Sequence, residues 1–274
     1  MGIQNRFTLI TGASHGIGKA LCHEFALKGH NLYLIALPNQ HLIDIEKELK
    51  ATYNVEIISY GVDLTKTESP DKIKKFAFEN KIKVNVLVNN AGMGSGGLFE
   101  NSNMELNKYI MMLNNHAMVG ITHSFIPDLK ETAPSHIMNI SSMEATLPLP
   151  YKAVYTATKS FIYSFSLALS QELKLDNVYV SVACPGSVVT NEDGMKRIKA
   201  MGWKAKVLVK EPDDVAKKMV KKLFKRKLVI IPGAVPSIIV RIMHFIPMRL
   251  KLRILEKIFS AYKDHDHRAM DSID

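Results

Sequence analysis

The sequence predicts an α/β fold, a doubly wound and mainly parallel seven-stranded sheet with helices on both faces, followed by a C-terminal helical extension. Three observations predict it. Short apolar runs alternate with stretches of helical periodicity from residue 6 to residue 231, the order that crossover-connected parallel strands produce. A glycine cluster, Gly12-x3-Gly16-x-Gly18, falls directly between the first run and the first helix, where a dinucleotide-binding loop is built. No linker, low-complexity tract, internal repeat or composition break divides the chain, so residues 1–274 read as one domain.

The elements follow in order. Residues 6–10 form a short apolar strand, and the glycine loop leads into a helix ending near residue 28. A strand at 31–36, a helix at 41–52, a strand at 55–60 and a helix at 70–80 follow. Residues 84–88 are the fourth strand. Residues 104–130 read as one helix, with Pro127 near its end. Strands at 136–140 and 178–183 flank a long helix at 153–174, and a helix at 212–225 precedes the last strand at 228–231. The core therefore spans 6–231. Within it, 187–210 is expected to form a mobile lid over a pocket, and 232–274 is an amphipathic extension.

Composition is that of an ordinary enzyme, 47% apolar and 23% charged. Two cysteines, Cys22 and Cys184, far apart and in no metal-ligand spacing, argue against a disulfide scaffold and for a reducing, cytoplasmic setting. No signal-peptide pattern opens the chain, and Arg6 stands where a myristoylation motif after Gly2 would need Ser or Thr. Net charge is +10, and residues 196–268 carry 20 Lys/Arg against 6 Asp/Glu, an excess of 14. No aromatic ladder accompanies these lysines, so nucleic acid is not the expected partner.

Tyr155 and Lys159 stand four residues apart at the start of a helix, which puts a phenol and an ammonium on one face. A fixed cation stabilises a phenolate, so Lys159 is expected to lower the pKa of Tyr155 and make it an acid/base group. In the glycine loop, close backbone approach and the helix N-terminus suit a pyrophosphate. At the end of the second strand an acid would select NAD and an Arg would select NADP. Ala36 and Leu37 are neither, and His15 adds a positive contact, so NADP(H) is favoured over NAD(H).

With these motifs goes an ordered set: Asp63-Leu64-Thr65, Asn89-Asn90-Ala91-Gly92, Asn114, Ser142, and Pro185-Gly186 followed by Thr190. From about residue 6 to 231 the chain resembles the short-chain dehydrogenase/reductase superfamily of the classical single-domain type. That resemblance implies a Rossmann-type fold and an NAD(P)-dependent oxidoreductase interconverting a ketone and a secondary alcohol. It implies Tyr155 as acid/base and Lys159 tuning it and binding the nicotinamide ribose. Ser142 would orient the carbonyl, with Ser141 turned to the other strand face, and Asn114 would hold a water for proton relay. For the cofactor it implies Gly12, Ser14, His15, Gly16, Ile17 and Gly18 around the phosphates and Asp63 with Leu64 at the adenine. Asn90, Ala91 and Gly92 would lie along the cofactor, and Pro185, Gly186, Val188 and Thr190 at the nicotinamide. It also implies a homo-dimer or homo-tetramer formed through the helices containing Asn114 and Lys159. The alternative is a catalytically silent NAD(P)-binding regulatory or scaffold protein, against which the intact Ser142, Tyr155 and Lys159 argue.

Substrate contacts are expected from Met143, Glu144, Leu149, Met195 and Trp203, with Glu144 as a hydrogen-bonded carboxylate at the pocket rim. The apolar residues among them and their neighbours suggest an apolar or lipid-like carbonyl compound. In the extension, Ile238, Ile242, Phe245 and Ile246 interleave with Arg249, Lys251, Arg253 and Lys257, and Pro236 and Pro247 break any membrane span. Two readings stand: a helix lying on an anionic membrane at its cytoplasmic face, or one that packs on the domain, covers the cleft or joins a dimer. His265 and His267 imitate a metal site in a charged tail, and no metal is expected.

Overall fold

A computed structural model of the protein describes residues 6–186, 188, 210–233, 238, 242–243 and 245–263. Seven strands, β1 (Arg6–Thr11), β2 (Asn31–Ala36), β3 (Ile57–Gly61), β4 (Lys83–Asn89), β5 (Ser135–Ile140), β6 (Val178–Ala183) and β7 (Val229–Ile230), form one sheet in the order β3-β2-β1-β4-β5-β6-β7. Every pairing is parallel. β1 and β2 bury every residue after their first, because helices cover both faces and leave these strands no solvent side.

On one face lie α1 (Gly16–Leu27), α2 (Gln40–Thr52) and α7 (Pro212–Leu223). They enclose a core that includes Ile10, Leu21, Phe25, Leu34, Val88, Met219 and Leu223. On the other lie α3 (Ser69–Glu79), α5 (Ala117–Glu131) and α6 (Ala153–Glu172), packed over Leu9, Tyr33, Leu87, Ile121, Phe125 and Leu169. β1 sits between β2 and β4, so the winding reverses there. Sheets of this winding bind ligands beyond the carboxyl ends of the strands at that reversal.

The helix expected over 104–130 is interrupted. α4 (Met104–Met111) passes into a π-helical turn (Met112–His116) before α5 begins. An apolar repeat does not register one extra residue in a helical turn, whereas the buried amide of Asn114 requires it. The last strand is also shorter than expected, Val229–Ile230.

Beyond β7, α8 (Met248–Phe259) and a 3-10 turn (Ser260–Tyr262) pack on the domain. Met243 and Leu255 are buried with Leu147 and Leu149, with Ile246 and Phe259 partly buried against them. The inward side of the extension thus follows the packing alternative. No described helix is long and apolar enough to cross a membrane. Thr190, Met195, Trp203, His265, His267 and most of the expected lid lie outside the described residues.

Candidate active site

The site begins at the exit of β1. Gly12 and Gly16 adopt positive φ, 64° and 51°, which favours glycine at both positions. A Cβ on Gly12 would come within 2.9 Å of the Ala91 Cα, and one on Gly18 would collide with the Gly12 carbonyl. The loop, α1 and the end of β4 are therefore packed backbone on backbone. Asn90 stitches them together. Its amide donates to the carbonyls of Thr11 and Gly12 at 3.0 and 3.1 Å, and the Thr11 hydroxyl accepts from the backbone N–H of Asn90 and Ala91, both at 3.0 Å.

Asn39 and Asn103 cap α2 and α4 with their side chains. His15, the N-cap of α1, makes no such bond, which leaves the first amides of α1 to an outside anion. Beside them the Ser14 hydroxyl lies 2.8 Å from His15 Nδ1, and the His15 ring meets His41 edge-on at 4.4 Å. Burial, then the charges of His41 and Lys19, hold His15 below the ordinary imidazole pKa. His41 was not anticipated; its signal was a histidine in the first turn after the second strand. Ile17 packs against the core under the loop. This cradle of glycines and free amides fits a dinucleotide pyrophosphate.

Asp63 uses one carboxylate oxygen locally, accepting from the Thr65 N–H and hydroxyl at 2.9 and 2.7 Å, while Leu64 is buried. Pro185 is buried and accepts from Met143 N–H at 2.9 Å. Gly186 is part-buried, and Val188 forms a parallel bridge with Lys210.

Ser142 follows β5 and is 8% exposed. Its hydroxyl accepts from Glu144 N–H at 3.1 Å and stands near enough to the Tyr155 phenol to favour its phenolate. Ser141 points the other way, its hydroxyl donating to the Lys159 carbonyl at 2.7 Å, as strand alternation requires. Lys159 is buried and donates to the Ile140 carbonyl at 3.1 Å, with its Nζ 5.8 Å from the centre of the Tyr155 ring. The backbone after β4 runs against this pair. A Cβ on Gly92 would stand 3.0 Å from Asn114 Oδ1 and 3.2 Å from Lys159 Nζ, and one on Gly94 would stand 3.2 Å from the Tyr155 ring.

The expected tuning of Tyr155 needs correction. Its phenol is held above the usual range, first by burial and then by the Glu144 carboxylate, with the Ser142 hydroxyl opposing. Lys159 itself is lowered to about 8 by burial, with Cys184 and Glu144 opposing. A neighbouring cation favours a phenolate, but here desolvation and the nearby acid outweigh it.

Asn114 is 1% exposed. Its Oδ1 accepts from Met93 N–H at 2.8 Å, and its Nδ2 donates to the Met93 carbonyl at 2.9 Å and the Thr158 hydroxyl at 3.0 Å. Beneath it runs a buried polar chain that the sequence reading missed, because its members sit within apolar runs. Asn89 donates to Thr122 and Asn139, and Asn139 donates to Ser166, all at 2.8–2.9 Å.

On the substrate side, Met143 is part-buried, and Glu144 pairs with Lys152 at 3.1 Å. Leu149, expected to contact substrate, is 3% exposed and packed with Leu147, Met243 and Leu255. The C-terminal extension occupies the face it was expected to present.

The family profile described as short chain dehydrogenase matches residues 6–200. The very-long-chain 3-oxoacyl-CoA reductase of Mus musculus is 31% identical over 188 residues, which are 67% of this chain and 60% of that protein. The dehydrogenase/reductase SDR family member 7B of Danio rerio is 27% identical over 249 residues, 86% of this chain and 80% of that one. Thus the match spans about 60% of the length of the mouse reductase and of its Rattus norvegicus counterpart. Among solved structures, L-sorbose reductase from Gluconobacter frateurii, complexed with NADPH and L-sorbose, superposes with a TM-score of 0.75 at 26% identity. That match covers 84% of this chain and 95% of the other.

Proposed function

The chain belongs to the short-chain dehydrogenase family, and from that premise we propose that it is an NADP(H)-dependent oxidoreductase that reduces an apolar, lipid-like ketone to a secondary alcohol. The observation that carries the proposal is Tyr155, with the Ser142 hydroxyl near its phenol and the buried Lys159 beside its ring, at the carboxyl edge of the sheet. When bound, the dinucleotide supplies the hydride. Ser142 orients the carbonyl oxygen, and Tyr155 gives that oxygen its proton as negative charge develops there. A phenol held above its usual pKa remains protonated at neutral pH, which suits the reductive direction. Lys159 would bind the nicotinamide ribose, and a water relay near Asn114 would return the proton. The glycine loop would cradle the pyrophosphate, Asp63 the adenine, and Pro185, Gly186, Val188 and Thr190 the nicotinamide.

The preference for NADP(H) rests on His15 of the glycine loop and His41 of the first turn of α2, whose rings meet at 4.4 Å, with no carboxylate at Ala36 or Leu37 to repel a 2′-phosphate. The preference for a lipid-like substrate rests on likeness to the very-long-chain 3-oxoacyl-CoA reductases and on the outward side of the extension. There Phe245, Ile258, Ile242, Met248 and Leu250 are more than half exposed beside exposed Arg249, Arg253 and Lys257. Such a surface fits an anionic membrane from which an apolar substrate could enter. Contact between copies would use α4, α5 and α6, where Ala153, Ala157 and Phe161 form an exposed stripe.

A panel of carbonyl compounds, including long-chain 3-keto compounds and steroids, followed by NADPH absorbance, tests the activity. Tyr155→Phe is expected to abolish turnover and keep NADPH binding; retained turnover defeats the mechanism. Flotation with anionic liposomes at low and high salt tests the membrane contact, and no binding at either salt rejects it.

A further inference from the structure

The described part of the C-terminal extension reaches the acid/base residue through one side chain, Lys152. This lysine lies three residues before Tyr155, and its side chain is 13% exposed. Its Nζ donates to Glu144 at 3.1 and 3.4 Å. Three rings surround the same ammonium: Tyr262 at 4.6 Å, Phe259 at 5.6 Å and Tyr155 at 5.8 Å from their centroids. All three are within the reach of a cation–π contact. Two of the rings belong to the extension. Tyr262 also fills the space over Gly96, where a Cβ would meet it at 3.0 Å.

The local backbone shows how Lys152 is aimed inward. Tyr151 holds a positive φ of 65°, a conformation strained for a non-glycine residue. Its carbonyl accepts from Gly97 N–H at 2.7 Å, and its hydroxyl donates to Glu256 of α8 at 3.2 Å. The turn thus sends Tyr151 outward to Glu256 of α8 and Lys152 inward to Glu144. The charged and titratable groups that face Tyr155 or its ion partners are then Glu144 and Lys152 before it, Lys159 with Cys184 behind it, and Tyr262 from the extension.

We propose that the C-terminal extension is a working part of the active site: Phe259 and Tyr262 clamp Lys152 against Glu144, and the clamped ammonium offsets part of the carboxylate's field at the Tyr155 phenol. Lys152 is a positioning residue here, since it acts on the proton of Tyr155 and not on the substrate. The inference rests on the proposed reductase activity for its kinetic consequences. Its structural half, the clamp, stands without turnover. After burial, Glu144 is the group that disfavours the Tyr155 phenolate, so the extent to which Lys152 offsets it helps set the pH at which the tyrosine can act as a base in alcohol oxidation.

The test compares Lys152→Met, Glu144→Gln, the double variant, Lys152→Arg and Phe259→Leu/Tyr262→Leu. Without Lys152 the pH midpoint for alcohol oxidation should rise by about one unit, lowering the rate about tenfold at a fixed pH below it. Glu144→Gln should move the midpoint down, and the double variant should return it to near the wild-type value. A purely structural role would give additive losses instead. Lys152→Arg should restore the profile, and the double leucine variant should shift it in the same direction as Lys152→Met, by less. NADPH affinity should be unchanged throughout.

A second readout needs no turnover. Amide hydrogen exchange of residues 248–262 should speed up at least threefold in Lys152→Met and in the double leucine variant. Unchanged exchange in both variants overturns the clamp, whatever the activity. Faster exchange with an unmoved pH profile overturns its effect on Tyr155. If wild-type enzyme reduces nothing in the carbonyl panel while exchange still responds, it is the proposed reductase activity that fails, and the clamp remains.

Discussion

Replacing Lys159 with Met should stabilise the dinucleotide-free protein while removing its turnover. Lys159 is 5% exposed, and burial lowers its pKa from 10.5 to about 8. That displacement corresponds to about 3 kcal/mol of penalty on the ammonium at neutral pH. Methionine fills a similar volume without charge. Against the gain, the Ile140 carbonyl loses its 3.1 Å donor, a loss of about 1–2 kcal/mol for a buried acceptor. The variant should therefore be about 1–2 kcal/mol more stable at pH 7. The pH dependence gives the sharper test. Below about pH 8 the lysine is protonated in both the folded and the unfolded chain, so the penalty is full and constant. Between about 8 and 10.5 the unfolded chain holds a proton that the folded chain has released, and wild-type stability rises with pH. The advantage of methionine should shrink across that window. Urea unfolding followed by circular dichroism at pH 7 and pH 9.5, with unchanged m values, measures both quantities. A variant less stable than wild type at pH 7, or a difference that is the same at both pH values, refutes the reasoning.

Two further predictions concern histidines. Burial, then the charges of Arg226 and His30, lowers His136 to about 4, so its stability contribution is complete above pH 6.5 and lost as pH falls towards 4. With its ring partly exposed, that amounts to about 2 kcal/mol. His136→Phe keeps the ring contacts with Tyr179 and Phe224 and should move the acid-unfolding midpoint to lower pH; superimposable acid limbs would show that His136 does not contribute. Because His15 is held below the ordinary imidazole value, it gains charge only as the pH falls past that value, so NADPH should bind more tightly at pH 5 than at pH 8, and NADH should not. His15→Ala should flatten that slope in a fluorescence titration, and equal slopes for the two nucleotides would remove His15 from recognition of the 2′-phosphate.

Much of this architecture was legible because the features that encode it are local. A strand buried on both faces must be a short apolar run, and the phosphate loop must carry glycine where φ is positive, as at Gly12 and Gly16. Ser142, Tyr155 and Lys159 meet because strand and helix geometry fix their spacing. What was not legible depends on distant partners. Leu149 reads as pocket lining until Leu255, more than a hundred residues later, covers it. The pKa of Tyr155 reads as lowered until burial and Glu144 are set against Lys159. His41 gains meaning when the fold brings it to His15, and Lys152 when Phe259 and Tyr262 close over it.

The π turn and the placement of Lys159 are one feature seen from two sides. In a regular helix neighbouring side chains diverge by about 100°, so adjacent asparagines would not both face α6. Here they do: Asn114 reaches the Thr158 hydroxyl and Asn115 the Thr158 carbonyl, both at 3.0 Å. The wider turn lets two successive amides hold the residue that precedes Lys159. Asn114 also holds both backbone polar groups of Met93, next to Gly92, whose bare Cα leaves room for the ammonium. A regular helix through 112–116 would break one of these attachments. The helix interruption is therefore what fixes the β4 exit and Lys159 relative to each other, and with them the place where a carbonyl oxygen would meet Tyr155.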